Sequence, residues 1–282
     1  MINKIFILTL LALLQTISVS SNELPRPGEK WTNPKDKMVF VWIPAGSQPM
    51  GFPKNETNPE PSKHKVVFPS GFWIGRTEVT VKQFQKFVQE TGYVTEAEQA
   101  QAKYTWRSPG FSQTGSHPVV YMSSNDALRY AQWAGVAIPT EAEWLYACHA
   151  GTETLYPWGD TWDDQYAWHR ENAGDGTRPV ARKKANAWGV YDMVGNVWEW
   201  CVVFPNIGLP RGGSWSRCKG YKTRQGYYAE VFKDAVEATL TFPPSPYFMA
   251  EGHDDRGFRC ILRTGTPINP QHEMGIKSPR DQ

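Results

Sequence analysis

Apolar and polar positions alternate along this chain in short bursts, and the bursts place a small set of elements. Met38 to Ile43 is an unbroken apolar run that stops at Pro44-Ala45-Gly46, which predicts a buried strand running into a turn. Val66 to Phe68 and Phe72 to Val79 predict further short strands, with a Pro/Asn/Lys loop over Gln48 to Lys65 before them. Three helices follow. Thr80 can cap Val81 to Thr91, placing Phe84, Phe87 and Val88 on one face before Gly92 stops it. Ser123 or Ser124 can cap Asn125 to Ala134, with Leu128, Ala131 and Trp133 largely apolar and Gly135 as the stop. Thr140-Glu141-Ala142-Glu143 is a capping box opening a helix to Ala150, closed by Gly151. From Gly151 to Cys260 the pattern breaks every few residues at Gly, Pro, Asn, Asp or Trp. That stretch predicts turns, which aromatic packing, cross-links or bound cations must hold.

No internal repeat or clear linker interrupts the pattern, so one domain is expected. Its 13 Trp, 24 Gly and 22 Pro describe a loop-rich, aromatic-anchored fold, not a helical bundle. A net charge of +2 gives no basis for nucleic-acid binding or for docking on an anionic membrane. The N-terminus reads separately. Lys4, the apolar run Ile5 to Leu14 and the small residues Ser18-Val19-Ser20 make residues 1–20 a secretory signal peptide. The expectation is export to the periplasm or the extracellular space, with no membrane span after cleavage. Residues 21–37 are then an exposed N-terminal arm, residues 38–263 the domain and residues 264–282 a polar tail. In an oxidising compartment the four cysteines, Cys148, Cys201, Cys218 and Cys260, predict two disulfides with three connectivities open.

The chemistry concentrates in Gly189-Val190-Tyr191-Asp192-Met193-Val194-Gly195-Asn196-Val197-Trp198-Glu199-Trp200-Cys201. Asp192 and Glu199 bracket a Gly-Asn turn whose carbonyls can point between them. A hard cation wants that mixture of carboxylate and backbone oxygens on a rigid loop.

This run is one of eight ordered segments. The others are Met38 to Gly46, Gly75-Arg76-Thr77-Glu78-Val79-Thr80, His117-Pro118-Val119-Val120, Ile138 to Trp144, Tyr156-Pro157-Trp158-Gly159-Asp160, Arg211-Gly212-Gly213-Ser214-Trp215, and Gly257-Phe258-Arg259-Cys260. Together they resemble the formylglycine-generating enzyme, or sulfatase-modifying factor, family over about residues 38–262. The resemblance implies a single irregular, loop-rich α/β (α+β) domain, a formylglycine-generating-enzyme fold related to the C-type lectin fold. It implies structural calcium held by Asp192, Gly195, Val197 and Glu199, and a second calcium near Asn172, Ala173 and Asp175, where the loop to Pro179 is shortened. It also implies a Cys148–Cys260 disulfide, which leaves Cys201 to Cys218.

In the family, copper is held by two cysteines just after the Gly-Gly-Ser motif, and it serves oxidation of a substrate cysteine to formylglycine. Here Arg217 and Lys222 fall at those positions, and Cys218 lies one residue late. A paired-thiolate copper centre, which suits Cu(I), is therefore not expected. Cys218 is either a reactive thiolate among cations or a disulfide partner. Trp198 and Ser214 match positions lining the family's oxygen pocket, so the candidate catalytic residues are Cys218, Ser214 and Trp198. The functional expectation is an exported, non-standard oxidoreductase or maturation factor acting on a protein or peptide substrate. The alternatives are a non-catalytic, calcium-stabilised lectin-like module that binds a partner or glycan-like ligand along the aromatic stretch between Trp215 and Arg256, and a formylglycine-generating oxidase with a shifted metal site.

Overall fold

The computed structural model describes residues 24–50, 64–203, 207–216 and 253–264. The expected signal segment, Cys218, most of the aromatic stretch after Trp215 and nearly all of the tail lie outside the described residues.

The strands β1 (Lys30–Thr32) and β2 (Val39–Ile43), with β5 (Phe72–Gly75) and β9 (Ile261–Arg263), form an antiparallel sheet in the order β1-β2-β5-β9. A hairpin pairs β3 (Gly46–Met50) with β4 (His64–Phe68). A third sheet carries β6 (Trp198–Val203) between antiparallel β7 (Ile207–Arg211) and parallel β8 (Arg256–Gly257). The N-terminal arm is thus shorter than the sequence suggests, because Lys30 to Thr32 add to β2 as an edge strand. The predicted loop over Gln48 to Lys65 also gives up both ends to the β3–β4 hairpin.

The helices begin where their side chains can satisfy the orphan amides of the first turn. Thr80 caps α1 (Val81–Thr91), and Thr95 caps the short α2 (Glu96–Gln99). Ser123 caps α3 (Ser124–Ala134), and Thr140 caps α4 (Glu141–His149). All four are complete capping boxes, closed by Gln83, Glu98, Asp126 and Glu143. Left-handed Gly92, Gly135 and Ala150 end α1, α3 and α4.

Alternation along the four-stranded sheet divides its burial between two cores. Met38 and Phe40 pack with Phe84, Phe87, Tyr130, Trp200 and Phe258. Val41, Ile43 and Ile74 pack with Trp144, Leu145, Tyr146 and Met193. Cys260 belongs to the first core and its neighbour Ile261 to the second, where Cys148 also sits. This corrects the expected Cys148–Cys260 disulfide: both thiols are free and buried, and Cys201 is buried as well. Cys148 Sγ faces the Met193 carbonyl, and Cys201 Sγ faces the Glu199 carbonyl. The sheet's period of two turns Cys260 away from Cys148, and Cys218, the expected partner of Cys201, lies outside the described residues.

His149, in the last turn of α4, makes stability depend on pH. Burial lowers its pKa from 6.5 to about 4. A group depressed in the folded state stabilises above its unfolded value, and that stability is lost as pH falls through the folded one. Between pH 6.5 and 4 His149 is expected to cost the fold about 3 kcal/mol. Urea titrations of wild type and His149→Phe should converge in pH slope above pH 7 and diverge below 6; parallel slopes down to pH 4 would reject the assignment.

Candidate functional site

The turn between Asp192 and Glu199 is built by unusual backbone. Asp192 and Asn196 take φ of 56° and 58°, and Gly195 takes 89°. Gly195 N–H donates to the Gly212 carbonyl at 2.8 Å, and Asn196 N–H donates to the Trp168 carbonyl at 2.9 Å. The Asn196 side chain accepts from Arg178 N–H at 2.9 Å and donates to Glu78 Oε1 at 3.0 Å. The Asn196 carbonyl accepts from Trp215 N–H at 2.8 Å. One residue thereby ties the turn to the Gly-Gly-Ser-Trp segment and to Glu78, which no local pattern singled out.

Beneath this turn lies a buried charge centre. Arg259 is fully buried and donates Nε and Nη2 to the two oxygens of Glu199, each at 2.5 Å. It also donates to the carbonyls of Gly75 at 2.9 Å and Tyr191 at 3.0 Å. Trp144 Nε1–H donates to Glu199 Oε2 at 2.7 Å. Asp192 Oδ2 accepts from Ala181 N–H at 2.7 Å. Two oxygens in this centre, Glu78 Oε2 and Asp192 Oδ1, are buried without a partner. Burial pushes the Glu78 carboxyl well above the usual range, Asp192 and Glu199 add repulsion, and Arg259 offsets part of it. Burial also pushes Asp192 up to about 6, against the Ala181 amide and Arg259. Burial opposes the Arg259 charge, but Glu199, Glu78 and Asp192 outweigh it and hold the guanidinium protonated.

These contacts test the calcium set. Glu199 does not fit the role of a free ligand, since Arg259 and Trp144 take both of its oxygens. Asp192 fits through Oδ1. Gly195 and Val197 are buried in the turn beside it. Asn172 Oδ1 accepts from His169 N–H at 2.8 Å and its Nδ2 donates to the Ala167 carbonyl at 3.0 Å. Ala173 is buried, whereas Asp175 is exposed. Among the described residues no group of three or more His, Cys, Asp and Glu side chains is placed to hold a metal ion.

The candidate catalytic residues meet on the other side of the turn. Ser214 is fully buried, and its hydroxyl donates to Asp255 Oδ2 at 2.9 Å. The Ser216 hydroxyl donates to the same oxygen at 3.0 Å. Trp198 is half-buried, and its N–H donates to the Asp255 carbonyl at 2.8 Å. Trp215 packs edge-on against Phe111 at 5.6 Å and its Nε1–H donates to the Asp254 carbonyl at 3.3 Å. The structure therefore ties the Ser214 hydroxyl and the Trp198 backbone to one residue, Asp255. Cys218 is outside the described residues. Burial pushes the thiols of Cys148, Cys201 and Cys260 up, so none of them is poised as a thiolate.

Small sheets on irregular loops, four capped helices and a buried charge centre beside the Gly-Gly-Ser-Trp segment fit a sulfatase-modifying-factor type of protein. Residues 26–264 match the FGE-sulfatase family, described as the sulfatase-modifying factor enzyme 1-like domain, and the chain belongs to that family. The formylglycine-generating enzyme of Mycobacterium tuberculosis is 34% identical over 218 residues, covering 57% of this chain and 72% of that protein. The inactive C-alpha-formylglycine-generating enzyme 2 of Bos taurus is 30% identical over 283 residues, covering 81% of this chain and 89% of that protein. Among solved structures, PvdO from Pseudomonas aeruginosa superposes with a TM-score of 0.61 at 25% identity, covering 85% of this chain and 100% of that one.

Proposed function

We propose that this divergent family member is exported and serves the maturation of a protein or peptide, which it binds through the surface that carries Trp198 and Trp215, without a two-thiolate copper centre. The observation that carries this reading is the chemistry of the donor set. The three described thiols are buried with raised pKa, and the chain has Arg217 and Lys222 where two copper cysteines would stand. One remaining thiol, Cys218, cannot supply the paired soft ligands that hold Cu(I). The half-buried Trp198 and Trp215 support recognition of a partner, because indoles offer large contact area at small entropic cost. The likeness to an inactive enzyme 2, which spans more of this chain than the active relative does, agrees with a role other than formylglycine synthesis.

The test incubates the purified protein with Cu(I), dioxygen and a cysteine-containing sulfatase-type peptide. The expected result is no aldehyde in the peptide mass spectrum and no tightly held copper after a chelator wash. Copper-dependent formylglycine, abolished by Cys218→Ser, would replace this reading with an oxidase whose metal site has shifted.

A further inference from the structure

A cavity of about 680 Å³ opens between α1 and the loop over residues 106–113, within the ~300–1,000 Å³ of small-ligand sites. No residue of the buried charge centre lines it.

Its lining among the described residues excludes several classes of ligand. No acidic side chain lines it, so nothing there holds a metal ion or an ammonium group. Its one charged residue, Arg107, is already engaged. The guanidinium Nε donates to Glu98 Oε1 at 2.7 Å, and its Cζ lies 4.3 Å from the centre of the Trp106 ring. The adjoining start of α1 has no spare amide for a phosphate. Val81 N–H donates to the His117 carbonyl at 2.9 Å, and Lys82 N–H donates to the Gly115 carbonyl at 3.0 Å. Gln83 N–H donates to Thr80 Oγ1 at 3.3 Å, and Phe84 N–H donates to the Thr80 carbonyl at 2.9 Å. An extended peptide read by backbone pairing finds no strand there, since Thr105 and Ser108 of the loop pair with each other.

Neutral hydrogen-bonding groups are what the lining does offer. Gln85, Ser108 and Ser112 are exposed, and their side chains make no hydrogen bond to a described residue. Gln113 is anchored by its amide nitrogen, which donates to the Pro118 carbonyl at 2.9 Å and to Thr177 Oγ1 at 2.8 Å; its Oε1 is buried without a partner. The apolar part of the lining is aromatic, from buried Trp106 and half-buried Phe111. Phe111 is fixed between Trp215 and Gly176, where an added Cβ would stand 2.5 Å from its ring. Uncharged amides and hydroxyls around an aromatic surface match a ligand with hydroxyls on its edge and C–H groups on its faces.

We propose that this cavity binds a short neutral saccharide, with Phe111 against a sugar face and Gln85, Ser108 and Ser112 on its hydroxyls. No cation takes part, and the assignment does not rest on the function proposed above.

The probe is a panel of neutral trisaccharides of glucose, mannose, galactose and N-acetylglucosamine. Each is tested on the purified protein in EDTA, by saturation-transfer NMR and then by calorimetry. A proline-rich peptide of similar size and a sulfated trisaccharide are the comparators. At least one neutral member is expected to bind, with an affinity that added salt does not change. Gln85→Ala and Ser112→Ala should each weaken it about 2–10-fold, the worth of one neutral hydrogen bond. Ser112→Trp should fill the cavity and abolish binding. All three variants should melt with wild type, because both positions are exposed. A panel with no binder, binding that needs calcium, preference for the sulfated sugar or for the peptide, or Ser112→Trp binding as wild type does would each overturn the assignment.

Discussion

Gly195→Ala is expected to destabilise the fold by about 4 kcal/mol or more, in the range reserved for named structural failures. The reason is geometric. Gly195 takes φ of 89°, and a Cβ there would stand 2.1 Å from the Trp168 carbonyl oxygen and 3.0 Å from its carbon. Neither neighbour is a side chain that can swing away. To admit the methyl group the backbone must separate from Trp168, and Asn196, which donates to that same carbonyl, moves with it. Gly135 supplies the control. It has φ of 70° with nothing within 4 Å of the added Cβ, so Gly135→Ala carries the conformational cost alone, about 1 kcal/mol. Urea unfolding of the two variants separates the contributions. Equal midpoints would mean that contact with Trp168 does not constrain the turn.

The contrast between those two glycines also marks what the amino-acid string could disclose. Gly135 is legible from its neighbours, because it follows an amphipathic run capped at Ser123, and all three long helices were bounded this way to within a residue or two. Capping is local chemistry, settled within four positions. Val66 to Phe68 was legible as most of β4, but β3 and its pairing were missed, because Gly46 to Met50 carries Gly and Pro and takes its partner across the chain. The turn at Asp192 was legible as an ion-seeking motif, but the identity of its charges was not. Glu199 finds its cation 60 residues later in Arg259, and Glu78 reaches Asn196 across 118 residues. Glu78 sits in Arg-Thr-Glu-Val-Thr, where nothing in spacing distinguishes a buried carboxylate from an exposed one. The expected Cys148–Cys260 pairing is not made, for a related reason. Residue types and an even count permit pairing, but the face of the strand on which Cys260 stands decides it, and that face is turned to Phe84 and Tyr130 rather than to Cys148.

Arg259→Met is expected to be the most damaging single change in the molecule. The guanidinium is 0% exposed and satisfies both Glu199 oxygens and two backbone carbonyls. Removing one partner of a buried ion pair costs about 3–5 kcal/mol, and each orphaned carbonyl adds ~1–3 kcal/mol. Against a total stability of ~5–15 kcal/mol, most of the chain should be unfolded at neutral pH. The sign of the pH dependence gives a second reading. Burial already holds the Glu78 and Asp192 carboxyls above their unfolded pKa values, and losing Arg259, which lowers both, raises them further. Their contribution is complete below the unfolded values near 4 and is lost as pH rises through the folded ones. The gap between Arg259→Met and wild type should therefore narrow as pH falls from 7 toward 4. Coupling to Glu199 is isolated by a double variant. Arg259→Met with Glu199→Gln removes the stranded charge and should recover part of the loss, so that the two changes together cost less than their sum. Strict additivity, or a pH-independent deficit, would mean that Arg259 acts by filling volume in the core and not by holding charge, and the electrostatic account of the turn would fall with it.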